Sequence, residues 1–424
     1  MKIMVVGGGG REHAIIKKIK ESPQADKIYA LPGNGGISRD ADCVSIGAKD
    51  IEKIVEFAVE EKIDFAVVAP DDPLVLGAVD ALHNAGIKCF GPEAKAAAIE
   101  GSKVFSKNLM KKYNIPTAEY EVFSNTDKAK AYLKNAKYPT VIKADGLALG
   151  KGVIICPDYE TAENGINSIM EDKIFGDSGN SIVVEEFLTG PEVSVLCFTD
   201  GKTIVPMVSS MDHKRALDND EGLNTGGMGT VAPNPYYTEA IAEECMKNIF
   251  IPTVNAMNKE GRTFKGCLYF GLMLTEDGAK VIEYNCRFGD PETQVVLPLL
   301  KSDLLEIMIA VEEERLSEVN VEFSGGSACC VVVASKGYPK KYETGFEVTE
   351  DKLPENAVVF HAGTKTADNR IVTSGGRVLG ITAAADNLIG AVEKAYAAVK
   401  CVHFDNAYYR KDIGKKALDK LTNS

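Results

Sequence analysis

The stretch Val281–Gln294 reads V-I-E-Y-N-C-R-F-G-D-P-E-T-Q, and its first half carries residue types that a metal-assisted phosphoryl transfer needs. Side chains on a strand alternate between faces, so Glu283, Asn285 and Arg287 fall on one face and Ile282, Tyr284, Cys286 and Phe288 on the other. A carboxylate and an amide oxygen two residues apart supply two hard ligands. That is enough for a Mg²⁺ whose remaining ligands come from substrate phosphates. Arg287 adds a fixed cation that can hold an oxyanion beside it. An ordinary polar strand face shows the same alternation, so the stretch takes its meaning from the rest of the chain.

A second cluster precedes it. Tyr138–Ala144 reads as a strand carrying Lys143 near its end. Asp145-Gly146-Leu147-Ala148-Leu149-Gly150-Lys151-Gly152 and a further strand, Val153–Cys156, follow. The loop is not a Walker motif: three residues separate Gly146 from Gly150, Lys151 precedes a glycine, and the loop joins two strands. A glycine hairpin of this kind can cover a triphosphate as a lid, with Lys143 reaching the α- or β-phosphate; a plain hairpin with incidental lysines is the alternative. Ser181–Leu188, S-I-V-V-E-E-F-L, is a strand that turns at Thr189-Gly190-Pro191 into another strand, Glu192–Phe198. Such a connector exposes backbone groups to an adenine edge. Leu188 N–H and Glu186 C=O are the candidates, with Glu192 placed for ribose hydroxyls; an acidic hinge would look the same. Asp212-His213-Lys214-Arg215 leads through an acidic loop to Asn224-Thr225-Gly226-Gly227-Met228-Gly229. That last segment is nearly free of side chains and lets a polar substrate approach the backbone.

The elements that position these residues begin with a compact α/β unit. Strands are expected at Lys2–Val6, Lys27–Leu31, Phe65–Ala69 and Lys88–Phe90, and helices at Arg11–Glu21, from Asp50 as N-cap to Glu61, and at Pro73–Ala85. Alternation of this kind implies a parallel sheet with ligands at the carboxyl ends of its strands. The glycine run Gly7–Gly10 is not a dinucleotide fingerprint. The sixth place is Glu12 or His13, and no acid follows the second strand. Backbone N–H groups at a helix start still suit an anion. Pro32-Gly33-Asn34-Gly35-Gly36 and Pro70-Asp71-Asp72-Pro73 lie at the same predicted sheet edge, so a phosphate or sugar site is expected there. The first boundary falls near Gly101. Later, Gly266–Leu274 pairs as a hairpin with Lys280–Phe288, Val319–Gly326 reads as a linker, and the last hundred residues read as a separate small domain without a catalytic constellation.

At 424 residues the chain has room for several domains. Its net charge of −13 argues against a nucleic-acid partner, which needs clustered Lys and Arg. No apolar run is long enough to span a bilayer and no signal peptide is evident. Ten cysteines without a C-x-x-C pair and five histidines without zinc spacing point to a reduced, cytoplasmic protein.

Taken together, the chain resembles the phosphoribosylamine–glycine ligase (glycinamide ribonucleotide synthetase) family of the ATP-grasp superfamily. The resemblance runs through G-G-G-G-R-E-H-A (Gly7–Ala14), P-G-N-G-G (Pro32–Gly36), K-A-D-G-L-A-L-G-K-G-V (Lys143–Val153) and D-H-K-R (Asp212–Arg215). It continues through N-T-G-G-M-G (Asn224–Gly229), N-C-R-F-G-D-P-E-T-Q (Asn285–Gln294) and R-K-D-I-G (Arg410–Gly414). It implies an amino-terminal parallel-sheet α/β domain (1–101), a two-lobed ATP-grasp core (102–325, lid lobe about 120–188) and a small carboxy-terminal α+β domain (326–424).

By that resemblance ATP is held by Lys103, Lys143, Gly146, Gly150, Lys151, Gly152, Glu185, Glu186, Leu188 and Glu192, and Mg²⁺ or Mn²⁺ by Glu283 and Asn285. Phosphoribosylamine and glycine are held by Gly8, Gly9, Gly10, Gly33, Asn34, Asp212, Lys214, Asn224, Thr225, Gly226, Gly227 and Arg287. Arg287 and Lys143 are the implied catalytic groups. The implied reaction forms glycyl phosphate from glycine and ATP and passes the glycyl group to the amine of 5-phosphoribosylamine, in de novo purine biosynthesis. A monomer or weak dimer is expected. Ala69, Asp71 and Met211 stand where the family usually has Gly, Glu and Gln, and the strand before Lys280 lacks the acid many ATP-grasp enzymes place there. A nicotinamide oxidoreductase, a non-catalytic nucleotide sensor and an ATP-grasp ligase for another acid are the rival readings.

Overall fold

The computed structural model describes residues 1–147 and 152–423. It opens with β1 (Lys2–Gly7), α1 (Gly10–Ile19), β2 (Lys27–Pro32), β3 (Asp42–Cys43), α2 (Ile51–Glu60), β4 (Phe65–Val68), α3 (Asp71–Val75), α4 (Ala78–Asn84) and β5 (Lys88–Phe90). The five strands form one parallel sheet in the order β3-β2-β1-β4-β5, as the alternation predicted. The expected Pro73–Ala85 helix is two helices, because Gly77 adopts φ +85° between them. Ile15, Ile16 and Ile19 of α1 are buried, and in α2 Ile54 and Ala58 are buried while Val59 faces solvent.

Helix α5 (Ala94–Gly101) and helix α6 (Lys103–Lys112) meet at Ser102, whose hydroxyl caps α6 by accepting the Phe105 N–H at 3.0 Å. Next come β6 (Tyr120–Phe123), β7 (Thr140–Ala144), β8 (Val153–Cys156) and β9 (Ile182–Glu186), an antiparallel sheet ordered β6-β9-β7-β8. It has its own core around Ala129, Leu133, Ile142, Ile166 and Ile182.

The chain continues through β10 (Glu192–Thr199), β11 (Ile204–Pro206), β12 (Met211–Asp212), the hairpin of β13 (Arg215–Leu217) and β14 (Glu221–Asn224), β15 (Gly229–Ala232), β16 (Gly266–Thr275), β17 (Gly278–Asn285) and β18 (Ser327–Ser335). Strands β11-β10-β16-β17 make a second antiparallel sheet, with the expected β16–β17 hairpin. Its register steps at one point: Leu272 faces Val281 but Gly271 faces Glu283, so Ile282 is an extra residue. Such a bulge reverses which side chains turn inward. Ala279 and Val281 are buried before it, Tyr284 and Cys286 after it. The simple alternation that put Ile282 beside Tyr284 therefore fails at Ile282, while Glu283 and Asn285 still share a face.

Instead of closing on itself, the carboxy-terminal region extends a sheet begun earlier. Strands β12 and β15 continue into β18 and then into the strands Arg377–Ala385 and Ala357–His361. The segment carrying D-H-K-R and N-T-G-G-M-G thus hydrogen-bonds directly to the last hundred residues. Among the described residues no helix is long and apolar enough to cross a membrane.

Candidate active site

One cleft gathers Lys103, Lys107, Lys143, Glu185 and Glu283. Glu283 lies across from Gly271, where an added Cβ would sit 3.0 Å from its Cγ, so the missing side chain on β16 is what gives Glu283 room. Burial favours the neutral form of Glu283. Lys214, Lys103, Lys143 and Arg287 outweigh it and hold the carboxyl below its usual range, so it is ionised at neutral pH. Asn285 lies across from Tyr269, and its Oδ1 accepts from Arg287 Nη2 at 3.1 Å. Among the described residues no group of three or more His, Cys, Asp or Glu could hold a metal ion. An anionic carboxylate and one amide oxygen do fit a Mg²⁺ that keeps water and phosphate ligands; they do not make a closed protein cage.

Lys143 Nζ donates to Ile282 O at 2.9 Å, the carbonyl of the bulged residue, and lies 3.0 Å from Glu185 Oε2. Lys107 Nζ reaches the same oxygen at 3.1 Å and also donates to Thr117 Oγ1 at 2.8 Å. Glu185 is therefore buried under two lysines. Burial also draws the Lys107 ammonium down to about 8, against the pull of Glu185. Lys107 sits one helical turn from Lys103 on α6, a spacing the sequence offered but the motif reading passed over.

At the connector after β9, Glu186 is exposed; its N–H donates to Glu119 O and its Oε1 accepts the Glu119 N–H, each at 3.0 Å. Leu188 is half-buried. The connector is pressed onto β16, for a Cβ on Gly190 would lie 2.0 Å from Leu274 O. Glu192 accepts from Lys214 Nζ at 2.7 Å, and the same ammonium lies 4.0 Å from Glu283. Burial opposes the Lys214 charge, but Glu192 and Glu283 hold it well above the usual lysine range. Gly146 and Gly152 flank the glycine hairpin, whose Gly150 and Lys151 lie outside the described residues.

The glycine loops of the amino-terminal sheet meet one another. A Cβ on Gly8 would lie 2.3 Å from Gly33 O, and Asn34 Nδ2 donates to Gly8 O at 2.9 Å, so these two loops do face one crevice. The expectation of free N–H groups for an anion at the start of α1 meets a correction. Gly9 N–H already donates to Glu12 Oε2 at 2.5 Å, and the Arg11 backbone N–H faces Asp290. Gly10 is buried against Gln294. Burial raises the Asp71 carboxyl, but the charges of Arg287 and Arg11 outweigh it and leave it below its usual range.

Arg287 does not stand free either. Nη2 donates to Glu100 Oε1 at 3.1 Å as well as to Asn285, and Nη1 to Phe288 O at 3.3 Å; Nε is buried without a partner among the described residues. Glu100, from α5, also accepts the Cys286 N–H at 2.7 Å, and no motif marked it. Burial and the neighbouring Glu292 push the Asp212 carboxyl well above its usual range. Thr225 donates through N–H and hydroxyl to Lys214 O at 2.8 and 2.9 Å, and Asn224 is half-buried beside Arg215 in the β13–β14 register.

Two motif residues turn out to be struts. His213 is buried and neutral, because burial lowers it to about 4. Its Nδ1 pairs with Gly229 O at 3.1 Å, and its Nε2 accepts the Gly414 N–H at 3.2 Å. Arg410 is buried against Asp220 and Asp412 and donates to Arg215 O at 3.0 Å. R-K-D-I-G is therefore a clamp on the D-H-K-R strand.

Models of the phosphoribosylglycinamide synthetase N domain, ATP-grasp (A) domain and C domain match residues 1–100, 101–293 and 328–416 in that order. The chain belongs to the phosphoribosylglycinamide synthetase family. This synthetase-family chain is 49% identical over 97% of its length to the phosphoribosylamine–glycine ligase of Caldanaerobacter subterraneus, covering 99% of that relative. It is 46% identical over 100% of both chains to that of Escherichia coli O157:H7. The crystal structure of phosphoribosylamine–glycine ligase from Thermotoga maritima superposes with a TM-score of 0.84 at 35% identity, covering 97% of this chain and 100% of the other. The biotin carboxylase domain of Hydrogenobacter thermophilus 2-oxoglutarate carboxylase shares the fold of this synthetase-family member, with a TM-score of 0.76 at 17% identity over 96% and 91% of the two chains.

Proposed function

We propose that this chain ligates glycine to 5-phosphoribosylamine at the expense of ATP, giving glycinamide ribonucleotide, ADP and phosphate in de novo purine biosynthesis. The full-length relatives bearing that activity in their names support it. The observation that carries it is the cleft in which an ionised Glu283 stands among the charges of Lys103, Lys143, Lys214 and Arg287. Lys103 and Lys143 neutralise the polyphosphate, and the connector Glu186–Leu188 meets the adenine edge, with Glu192 near the ribose. Mg²⁺ or Mn²⁺, held by Glu283 and Asn285, would supply charge neutralisation at the transferred phosphoryl group. Arg287, fixed by Glu100, orients the glycine carboxylate toward the γ-phosphate. Asp212 and the Gly226–Gly227 backbone bring the amine of phosphoribosylamine onto glycyl phosphate. No Ser or Cys nucleophile is needed, and positioning supplies much of the rate.

On this reading residues 1–101 and the 224–229 loop hold the phosphoribosyl substrate, 102–325 form the nucleotide core with its lid at about 120–188, and 326–424 close the substrate end. A cytoplasmic setting agrees with ten unpaired cysteines. Measuring ADP release across a panel of amino acids and phosphoribosylated amines tests the reading. ADP should appear only when glycine and phosphoribosylamine are both present. Release with another acid in place of glycine assigns a different ligase, and binding of ATP without release assigns a sensor.

A further inference from the structure

The last hundred residues held no predicted chemistry, yet Arg377, at the start of the strand Arg377–Ala385, reaches the Gly226–Gly227 loop and Asp290. Its Nη1 donates to Gly226 O at 2.6 Å, Asp290 O at 2.8 Å and Gly227 O at 3.3 Å, and Nη2 lies 3.3 Å from Asp290 Oδ2. Gly226 packs closely against the guanidinium: a Cβ there would sit 3.0 to 3.2 Å from the guanidinium carbon and both terminal nitrogens. Gly227, at φ +110°, is pressed from its other side, because a Cβ would lie 2.5 Å from Pro291 Cδ and 2.6 Å from Asp212 Oδ1. The opposite ends of these peptides are tied as well. Gly226 N–H donates to Tyr338 Oη at 3.2 Å, another group from the last hundred residues, and Gly227 N–H donates to Thr225 Oγ1 at 3.0 Å. Asp290 completes the junction: its Oδ1 accepts from Gln294 Nε2 at 2.8 Å, and its Oδ2 is 3.4 Å from where a Cβ on Gly9 would be.

We infer that Arg377 is a positioning residue for the phosphoribosylamine side of the site, its planar guanidinium fixing the Gly226–Gly227 backbone against Asp290 and the glycine run. The inference rests on the ligase reading above. These contacts occupy the guanidinium with carbonyls and one carboxylate, so Arg377 acts through the loop and does not hold substrate itself. A lysine cannot take its place: an ammonium is a point donor and cannot span three carbonyls and the Asp290 carboxylate as the planar guanidinium does. Small displacements of a positioning group are enough to cost catalysis dearly.

The test uses the full chain, with phosphoribosylamine generated in place from ribose 5-phosphate and ammonia, and ADP release as the readout. Arg377→Gln and Arg377→Lys should both raise KM for phosphoribosylamine roughly tenfold or more while KM for ATP stays within about threefold. Gly226→Ala, which pushes on the guanidinium from an exposed position, should shift the same constant in the same direction. Unchanged KM for phosphoribosylamine in Arg377→Gln, equal losses for ATP and phosphoribosylamine, or full rescue by Lys would each overturn the clamp. Should the Arg377 variants fail to fold, Gly226→Ala decides. Should the wild-type chain release no ADP with these substrates, the ligase reading fails. The clamp is then judged by amide hydrogen exchange over residues 224–229, which Arg377→Gln must accelerate.

Discussion

Lys143 Nζ lies 3.0 Å from Glu185 Oε2, with both side chains almost wholly withdrawn from water. Lys107 shares that oxygen at 3.1 Å, and Glu185 Oε1 has no partner among the described residues. Two lysines thus share one carboxylate at the proposed phosphate end of the cleft. Lys107 thereby moderates how tightly Glu185 holds Lys143. Lys107→Met should let Glu185 engage Lys143 alone and raise KM for ATP several-fold, with KM for phosphoribosylamine unchanged.

The same pairing fixes a pH dependence. Burial depresses the Lys107 ammonium to about 8. Below that pH Lys107 is charged, and as pH rises through it Lys107 loses its proton. Wild-type affinity for ATP should fall across that limb, and Lys107→Met should show the weakened affinity on both sides without the limb. A limb near pH 8 that survives in Lys107→Met would assign it to another group.

Glu283→Gln keeps the shape of the proposed metal site and removes its one anionic ligand. Turnover should fall by roughly 10²-fold or more, about 3 kcal/mol at the barrier, and the Mg²⁺ concentration for half-maximal rate should rise. Near-wild-type turnover at saturating Mg²⁺ would take Glu283 out of the site.

How much of this could be read without coordinates differs from element to element. The parallel sheet was legible because strand and helix periods alternate cleanly from Lys2 to Phe90. The pairing of Glu283 with Asn285 was legible because alternation holds after the bulge. The bulge itself was not, since an extra residue at Ile282 leaves no mark on a period of two. Strands as short as Met211–Asp212 carry no period at all, so the sheet they share with Ser327–Ser335 was invisible. Glu100 and Arg377 were missed for a related reason: each acts on a motif far away in sequence, and neither lies in a motif of its own. Glu185 was read as a nucleotide contact from the match of its strand to the family's; its burial under two lysines could not be read, because it depends on how α6 packs against β9.

His213 should make the fold acid-sensitive. The folded chain keeps it neutral, with Nδ1 donating to Gly229 O and Nε2 accepting from Gly414, so a second proton would cost that acceptor. Its affinity for a proton falls from an ordinary 6.5 to about 4 in the fold. Between those values the unfolded chain binds the proton and the folded one does not. Stability is therefore full above about pH 6.5 and is lost as pH falls toward 4, on the order of 3 kcal/mol from this group. Denaturant unfolding at pH 7 and pH 5 should show a smaller difference in His213→Asn than in wild type. An equal difference would place the acid sensitivity elsewhere, His13 being the next candidate, since burial lowers it to about 4 as well.

The route of one oxygen atom separates acyl-phosphate chemistry from ATP hydrolysis that merely drives a movement. If glycine is activated by phosphorylation, a carboxylate oxygen of glycine leaves with the phosphate; in the alternative that oxygen comes from water. On the proposed reading Arg287 aims the acid; Glu100 and Asn285 hold its Nη2, so that aim would depend on Glu100. Glycine labelled with heavy oxygen in its carboxylate should pass one labelled atom to inorganic phosphate per turnover. Glu100→Gln weakens the charge that fixes Arg287, and should raise KM for glycine roughly tenfold while each completed turnover still transfers the label. Unlabelled phosphate from labelled glycine would rule out glycyl phosphate even with glycinamide ribonucleotide as the product, and an unchanged KM for glycine in Glu100→Gln would release Arg287 from its assigned role.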